Sequence, residues 1–253
     1  MGKTGIIIQA RTGSKRLPNK MIIPFYKEKG VFELLLEKIT NIHDPFEIIL
    51  ATTISEDDNV LEKIALKYGV KTFRGSVNNV LSRFLNISDE NNYDNVIRIC
   101  ADNPFFLTNS ISQLKNEIEN NDNLDYVSFN IHGKPSILSH FGLWGEAVSV
   151  DALKKIAKLT DDSLYYEHVT NYIHSGNPKI FNIKLLETDN IFNELNDIRL
   201  TLDTSNDFKI QQKIYNDLYK NNQEIDFNDI VSYVNNHVDL KRLMKKEIAK
   251  NEK

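Results

Sequence analysis

Apolar and polar positions alternate along the first half of the chain in a repeating order. Residues 5–10, Gly-Ile-Ile-Ile-Gln-Ala, form a short β-branched run that reads as a buried strand. The segment 11–20, with Gly13, Ser14, Pro18 and Asn19, suits only a loop. Residues 31–39 carry apolar positions at helical spacing, and 46–52 read as a second strand. An amphipathic helix is expected over 56–68, opened by Ser55 as N-cap and stopped by Gly69. Strand 70–73, helix 80–91 and strand 95–100 follow, and Thr108 or Asn109 caps a helix to about Asn120. Four strand–helix repeats predict an α/β three-layer sandwich with a mainly parallel, Rossmann-like sheet. Ligands of such sheets lie beyond the carboxyl ends of the strands, so the loops after Gln9 and after Cys100 are expected to meet there.

The second half is less regular. Strands are expected at 126–129, 143–148 and 179–185, and helices at 151–159, 164–174, 207–219 and 227–234, with a charged, fray-prone amphipathic helix over 240–253. No repeat, linker or shift in composition marks a boundary. The expectation is one domain over 1–253, with an arm or acceptor-site insertion over roughly 125–175.

Composition narrows the function. The 253 residues are 41% hydrophobic and 26% charged, ordinary for a globular chain and too apolar for disorder. The net charge is −4, with no basic excess, which argues against a nucleic-acid partner. No run approaches the roughly 18 apolar residues of a membrane helix, so no membrane partner is expected. One cysteine, Cys100, excludes an internal disulfide and a Cys-rich zinc site, and the short apolar stretch between Lys3 and Arg11 does not suit a signal peptide. A cytoplasmic location is the expectation. Lysine far outnumbers arginine, as an AT-rich genome would give, and five of the seven arginines fall in the first hundred residues.

Chemistry concentrates in Gln9-Ala10-Arg11-Thr12-Gly13-Ser14-Lys15-Arg16-Leu17-Pro18-Asn19-Lys20. A glycine lets backbone approach an anion, loop N–H groups can face phosphate oxygens, and Arg11, Arg16 and Lys20 can neutralise a polyphosphate. A plain solvated basic loop is the competing reading. The spacing matches neither a Walker loop nor a GxGxxG turn, which argues against an ordinary ATPase or a dinucleotide oxidoreductase. Asp102, in Ala101-Asp102-Asn103-Pro104, follows a strand and suits a hard cation, but taken alone it reads first as an Asx-turn or cap residue. Asp203 serves equally as the cap of the helix beginning near Ser205, and Asp207 reads as a first-turn helix residue. Arg74 beside Gly75, Arg83 near a helix start, Arg98 within an apolar strand and Arg199 are open between structural ion pairs and ligand contacts. His168, in Glu167-His168-Val169-Thr170, reads first as structural. Cys100 has no base visible beside it and reads as an apolar filler rather than a nucleophile.

The blocks 7–20, Leu50-Ala51-Thr52-Thr53, Phe73-Arg74-Gly75-Ser76, Val80-Leu81-Ser82-Arg83-Phe84, 98–104, 167–170 and 199–204 occur in an order that resembles the cytidylyltransferases that make CMP-activated sugars. These are the acylneuraminate and 3-deoxy-manno-octulosonate type, and the spore-coat polysaccharide branch is the nearest likeness. The branch more often carries threonine where Cys100 stands. The resemblance implies transfer of CMP from CTP to a sugar or sugar acid, release of pyrophosphate, and a role in surface polysaccharide or glycoconjugate synthesis. It implies Mg²⁺ on Asp102 and Asp203, with Arg11, Arg16 and Lys20 on the phosphates. Main-chain groups of Ile8, Gln9 and Ala10 would read the base, and Gly13, Ser14, Arg74, Gly75, Cys100 and Ala101 would complete the nucleotide site. Glu167, His168 and Arg83 are weaker candidates for the acceptor or, for the Glu167 segment, a homodimer interface. Polar residues Asn130, His132, Lys134 and His140 of the arm are unranked acceptor candidates. The alternatives are a different base or a non-sugar acceptor, a metal-dependent glycosyltransferase, and a non-catalytic nucleotide-binding homologue.

Overall fold

Eight strands form one sheet: β1 (Thr4–Gln9), β2 (Ile48–Thr53), β3 (Lys71–Gly75), β4 (Asn95–Cys100), β5 (Tyr126–Ile131), β6 (Lys134–Pro135), β7 (Glu146–Ser149) and β8 (Ile183–Leu186). The coordinates are a computed structural model, and the described residues are 2–42, 46–219 and 225–251. The strand order is β3-β2-β1-β4-β7-β5-β6, with β8 beside β5. β1 pairs in parallel with β2 and β4, β2 with β3, and β5 with β8, while β7 runs antiparallel to β4 and β5.

Side-chain alternation along the strands builds the two cores. Ile6, Ile8, Ile97 and Ile99 face one layer, which contains α1 (Val31–Ile39), α2 (Asn59–Lys67), α4 (Asn109–Glu119), α8 (Ser205–Leu218), α9 (Phe227–Asn236) and α10 (Val238–Lys250). Ile7, Ile49, Val96 and Tyr126 face the other, which contains α3 (Val80–Asn91) and α5 (Val150–Leu159). The central strands are buried on both faces, which is why they read as unbroken apolar runs. The three-layer α/β sandwich with a mainly parallel sheet is therefore present.

Several elements differ from expectation. Residues 56–58 form a 3₁₀ turn ahead of α2, and Ser55 makes no side-chain capping bond. Thr108 likewise caps α4 by position only. The strand expected at 143–148 starts only at Glu146, and at Gly145 before it an added Cβ would lie 2.8 Å from the Arg98 carbonyl oxygen. The helix expected at 164–174 breaks into α6 (Ser163–Glu167) and a separate turn at Tyr172–Gly176. Within 125–175, β5, β7 and α5 belong to the sandwich, and irregular segments lie beside them. The C-terminal helix is docked rather than free: Glu247 is buried and accepts from Thr204 Oγ1 at 3.0 Å and Asn206 Nδ2 at 2.9 Å. The expected end of that helix at Lys253 lies outside the described residues.

Candidate active site

β1 and β4 are neighbours, whereas the chain passes from β1 to β2 on the opposite side. That reversal opens a crevice at the carboxyl ends of β1 and β4, where Gln9 and Cys100 stand side by side. A pocket of about 790 Å³ fills it. Its lining includes Gln9, Ala10, Arg11, Ser14, Lys15, Arg16, Lys20, Cys100, Asp102, Asp203, Glu167 and His168. The loops after β1 and β4 thus meet, and they are joined by the segment ahead of α8.

The loop 11–20 is anchored at its base. Thr12 donates to Asp58 Oδ1 through its amide at 2.8 Å and its hydroxyl at 2.7 Å. Thr52 Oγ1 donates to Asp58 Oδ2 at 3.0 Å, and Thr53 Oγ1 donates to the same oxygen. Burial of Asp58 pushes its carboxyl up, but these donors outweigh it and hold the group below the usual aspartate value. Asn19 then takes a left-handed conformation at φ 60°, which asparagine tolerates, and turns Lys20 inward.

Lys20 reaches into the centre of the site. Its Nζ lies 2.5 Å from Asp102 Oδ2, 2.6 Å from the Leu202 carbonyl and 3.7 Å from Asp203 Oδ1. Burial pushes the ammonium down, but Asp102, with Asp203 behind it, prevails and raises it above the ordinary lysine value. Arg16 Nη2 donates to Asp203 Oδ1 at 2.8 Å. Arg199, fully buried, donates from Nη2 to Asp203 Oδ2 at 2.9 Å and from Nε to Asp207 Oδ1 at 2.9 Å. Asp207 also accepts from the Asp203 and Thr204 amides at 3.0 and 2.9 Å. Thr204, not Asp203, caps α8, in a capping box with Asp207. Asp203 is therefore free of capping and fixed from below, with its carboxylate facing the same ammonium as Asp102.

Two carboxylates that share one cation fit a divalent ion with an oxygen preference. Mg²⁺ usually takes one or two carboxylates and fills its remaining positions with phosphate oxygens and water. Among the described residues no group of three or more His, Cys, Asp or Glu could hold a metal ion, so a cage built from protein alone is not offered. Lys20 stands between the two carboxylates, and Asp102 and Asp203 are the residues that would hold the ion.

The family profile of cytidylyltransferases matches residues 5–242. This chain belongs to the cytidylyltransferase family. It is 36% identical over 241 residues to the uncharacterized protein MJ1063 of Methanocaldococcus jannaschii, an overlap of 94% of this chain and 92% of that one. It is 28% identical over 215 residues to the spore coat polysaccharide biosynthesis protein SpsF of Bacillus subtilis, covering 83% and 85%. The fold superposes on a solved cytidylyltransferase from Leptospira borgpetersenii with a TM-score of 0.80 at 23% identity, covering 95% of this chain and 97% of that one. The cytidylyltransferase reaction is CMP transfer from CTP.

Some expected residues lie elsewhere. Ile8 and Ala101 are buried and do not line the pocket. The Ala10 amide is spent on the Ala51 carbonyl, and the Gln9 carbonyl accepts from the Ala101 amide. Those main-chain groups are held in the sheet, and the Gln9 side chain faces the pocket in their place. Gly13 has positive φ nowhere near it and an added Cβ would meet nothing within 4 Å, so no close approach within the chain requires it. The Thr12, Ser14, Asn19 and Lys20 amides are bonded within the protein. Arg74 is taken up by the Thr53 and Ser55 carbonyls at 3.0 and 2.7 Å and by Glu62 at 3.0 Å. It lies outside the pocket with Gly75. Arg83 is also outside, buried beneath β2, where it donates to the Ala51 carbonyl at 3.0 Å. Burial pulls its guanidinium down to about 10, and nearby Arg11 adds to the effect.

Arg98 is a pillar of the pocket floor. It pairs with Glu146 of β7, both almost wholly buried, and donates from Nε to Gln9 Oε1 at 3.0 Å. Tyr126 and Thr170 hydroxyls also donate to Glu146. Sequence reasoning required a partner for Arg98 without indicating which. Asp58, Glu146 and the segment 136–144 that supplies Ser139, Gly142 and Trp144 carried no motif, although Gly142 at φ 60° packs so closely that an added Cβ would lie 2.7 Å from Asn103 Oδ1.

Proposed function

We propose that the chain transfers CMP from CTP to a hydroxyl of a sugar or sugar acid, with release of pyrophosphate. The observation that carries this reading is the meeting of the loop 11–20 with Asp102 and Asp203 through Lys20 and Arg16. An acceptor oxygen attacks the α-phosphorus in line with the departing pyrophosphate, and catalysis consists of positioning and charge neutralisation. Arg11, Arg16 and Lys20 hold the β and γ phosphates and stabilise the leaving group. A divalent ion, Mg²⁺ by the oxygen donor set, supplies neutralisation at the α-phosphate when bound by Asp102 and Asp203. Binding of the nucleotide draws Lys20 and Arg16 from the two aspartates to the phosphates. The Arg11–Lys20 charge favours this over a glycosyltransferase, since a nucleotide-diphosphate sugar needs fewer cations. The match to SpsF supports a role in polysaccharide synthesis.

We further propose a cytoplasmic homodimer, joined through the 125–175 segment. Leu159 and Leu164 there are about half exposed, which supports the interface, and light scattering with Leu164→Asp tests it. The activity is tested by following pyrophosphate release from CTP, UTP, GTP and ATP with a pool of sugars and sugar acids, with and without Mg²⁺. Mass spectrometry identifies the conjugate. Release that is faster from another nucleotide than from CTP refutes the base assignment. Release without any divalent ion refutes the metal.

A further inference from the structure

Charge in the pocket is divided unevenly. Four of its cations, Arg11, Lys15, Arg16 and Lys20, sit on one loop, and Arg16 and Lys20 pair with Asp102 and Asp203. With a divalent ion they are matched by the two aspartates and a fully ionised triphosphate, which leaves no positive charge over. Outside this loop and the two aspartates, the only Lys, Arg, Asp or Glu side chains lining the pocket among the described residues are Arg98 and Glu167. Arg98 is already neutralised by buried Glu146. Glu167 accepts from Arg11 Nη2 at 2.5 Å. When Arg11 turns to the phosphates, the Glu167 carboxylate loses this cation.

The rest of the lining carries no Lys, Arg, Asp or Glu among the described residues and mixes polar with apolar side chains. Asn103, Ser139, Asn171 and Thr201 contribute hydroxyls and amides, and Trp144 contributes an apolar face. Gln9 is oriented by the pocket floor. Arg98 can only donate, so the Gln9 oxygen must face Arg98, and its NH₂ group is the free end. That NH₂ makes no hydrogen bond among the described residues, and Gln9 lines the pocket. It is a fixed donor for a neutral oxygen.

We infer that the acceptor is an uncharged polyhydroxy compound, a neutral sugar or polyol, and that the site rejects sugar acids and phosphorylated acceptors. The inference rests on the CMP-transfer reading and narrows its acceptor class. A carboxylate entering this half of the pocket meets no unmatched Lys or Arg and faces Glu167. A neutral polyol meets donors and acceptors on every side and an aromatic face, at no cost in uncompensated charge.

The test is calorimetric binding to the intact protein with Mg²⁺ at pH 8. The probes are CMP-N-acetylneuraminate and CMP methyl ester, which share the phosphodiester and differ in the acid sugar. The acid conjugate should bind no tighter than the methyl ester. Binding at least tenfold tighter overturns the inference. Labelled CTP incubated with a polar-metabolite extract gives a second reading. A conjugate carrying only its phosphodiester charge supports the neutral acceptor, and one carrying a further carboxylate or phosphate overturns it. CTP binding in the same cell separates the two levels. Loss of CTP binding refutes the proposed function, whereas tight binding of the acid conjugate with CTP binding intact refutes only the neutral acceptor.

Discussion

Replacing Arg98 by Met tests the pocket floor. The Arg98 and Glu146 side chains are 6% and 3% exposed, so neither charge has water to fall back on. Methionine fills much of the arginine stem's volume and removes the charge, leaving Glu146 buried beside the Tyr126 and Thr170 hydroxyls alone. Breaking one side of a buried pair costs about 3–5 kcal/mol, a large share of the roughly 5–15 kcal/mol that holds a domain together. At about 2–4 °C per kcal/mol for a chain of this size, the melting temperature should fall on the order of 10 °C. The loss should also depend on pH. In the native protein burial pushes the Glu146 carboxyl up, but Arg98 and the hydroxyls outweigh it and lower it below 4.5. Its stabilisation is therefore fully present above that ordinary value and is lost as pH falls through the lower folded value. In Arg98→Met burial prevails, the folded value rises above the unfolded one, and the variant recovers stability relative to wild type as acid neutralises Glu146. The gap measured by urea unfolding should be widest near pH 7 and should shrink below about pH 5. The double variant Arg98→Met/Glu146→Gln should regain at least half of the loss, since no buried charge is then left over. A loss under about 1 kcal/mol, flat in pH and not relieved by the second substitution, would refute the claim that this pair is an uncompensated-charge trap.

Three further perturbations separate the roles of loop, metal ligand and anchor. Asp102→Asn should keep the fold, read by circular dichroism, and lose at least about 100-fold in Mg²⁺-dependent turnover, the size of a single electrostatic contribution; full activity would sink the metal assignment. Lys20→Met should bind Mn²⁺ more tightly than wild type in the absence of CTP, by paramagnetic resonance, because the ammonium that now satisfies Asp102 and Asp203 is gone. Its turnover with CTP should nevertheless fall by at least about 100-fold, since the same ammonium is needed on the phosphates; unchanged Mn²⁺ affinity would show that Lys20 does not compete for the site. Asp58→Ala should cost roughly 2–4 kcal/mol and raise the KM for CTP more than it lowers kcat, because it releases Thr12 at the foot of the loop without touching the reacting atoms. The wild-type contribution of Asp58, whose folded value lies below 3.8, should be fully present above about pH 4 and lost only in stronger acid.

Local pattern made the sheet and the position of the site legible, but not the use of each charge. β1 and β4 were readable because strands buried on both faces must be apolar throughout, and a glycine- and proline-bearing loop after one of them could only lie at the sheet's carboxyl edge. Periodicity reports which face a residue occupies and says nothing about a partner 48 residues away, as Glu146 is from Arg98, or 82 away, as Asp102 is from Lys20. From the sequence, Arg74, Arg83, Arg98 and Arg199 are open between structural and ligand roles. Arg83 sits three residues after Val80 and four before Ile87, on the apolar stripe of α3, and that spacing already assigned it to the interior. Arg98 alternates with Ile97 and Ile99 within a strand buried on both faces, and Arg199 directly precedes buried Leu200. All three are buried, and their guanidiniums hold backbone carbonyls, Gln9, Glu146, Asp203 and Asp207. A charged residue whose position contradicts the local apolar period is, in this protein, a pillar beneath the site, and the cations that can meet a nucleotide are those on the loop, where no period applies. That criterion sets aside Arg83, Arg98 and Arg199, Arg74 is held by Thr53, Ser55 and Glu62, and Arg242 does not line the pocket, so Arg11 and Arg16 with Lys15 and Lys20 are the set proposed to meet the phosphates.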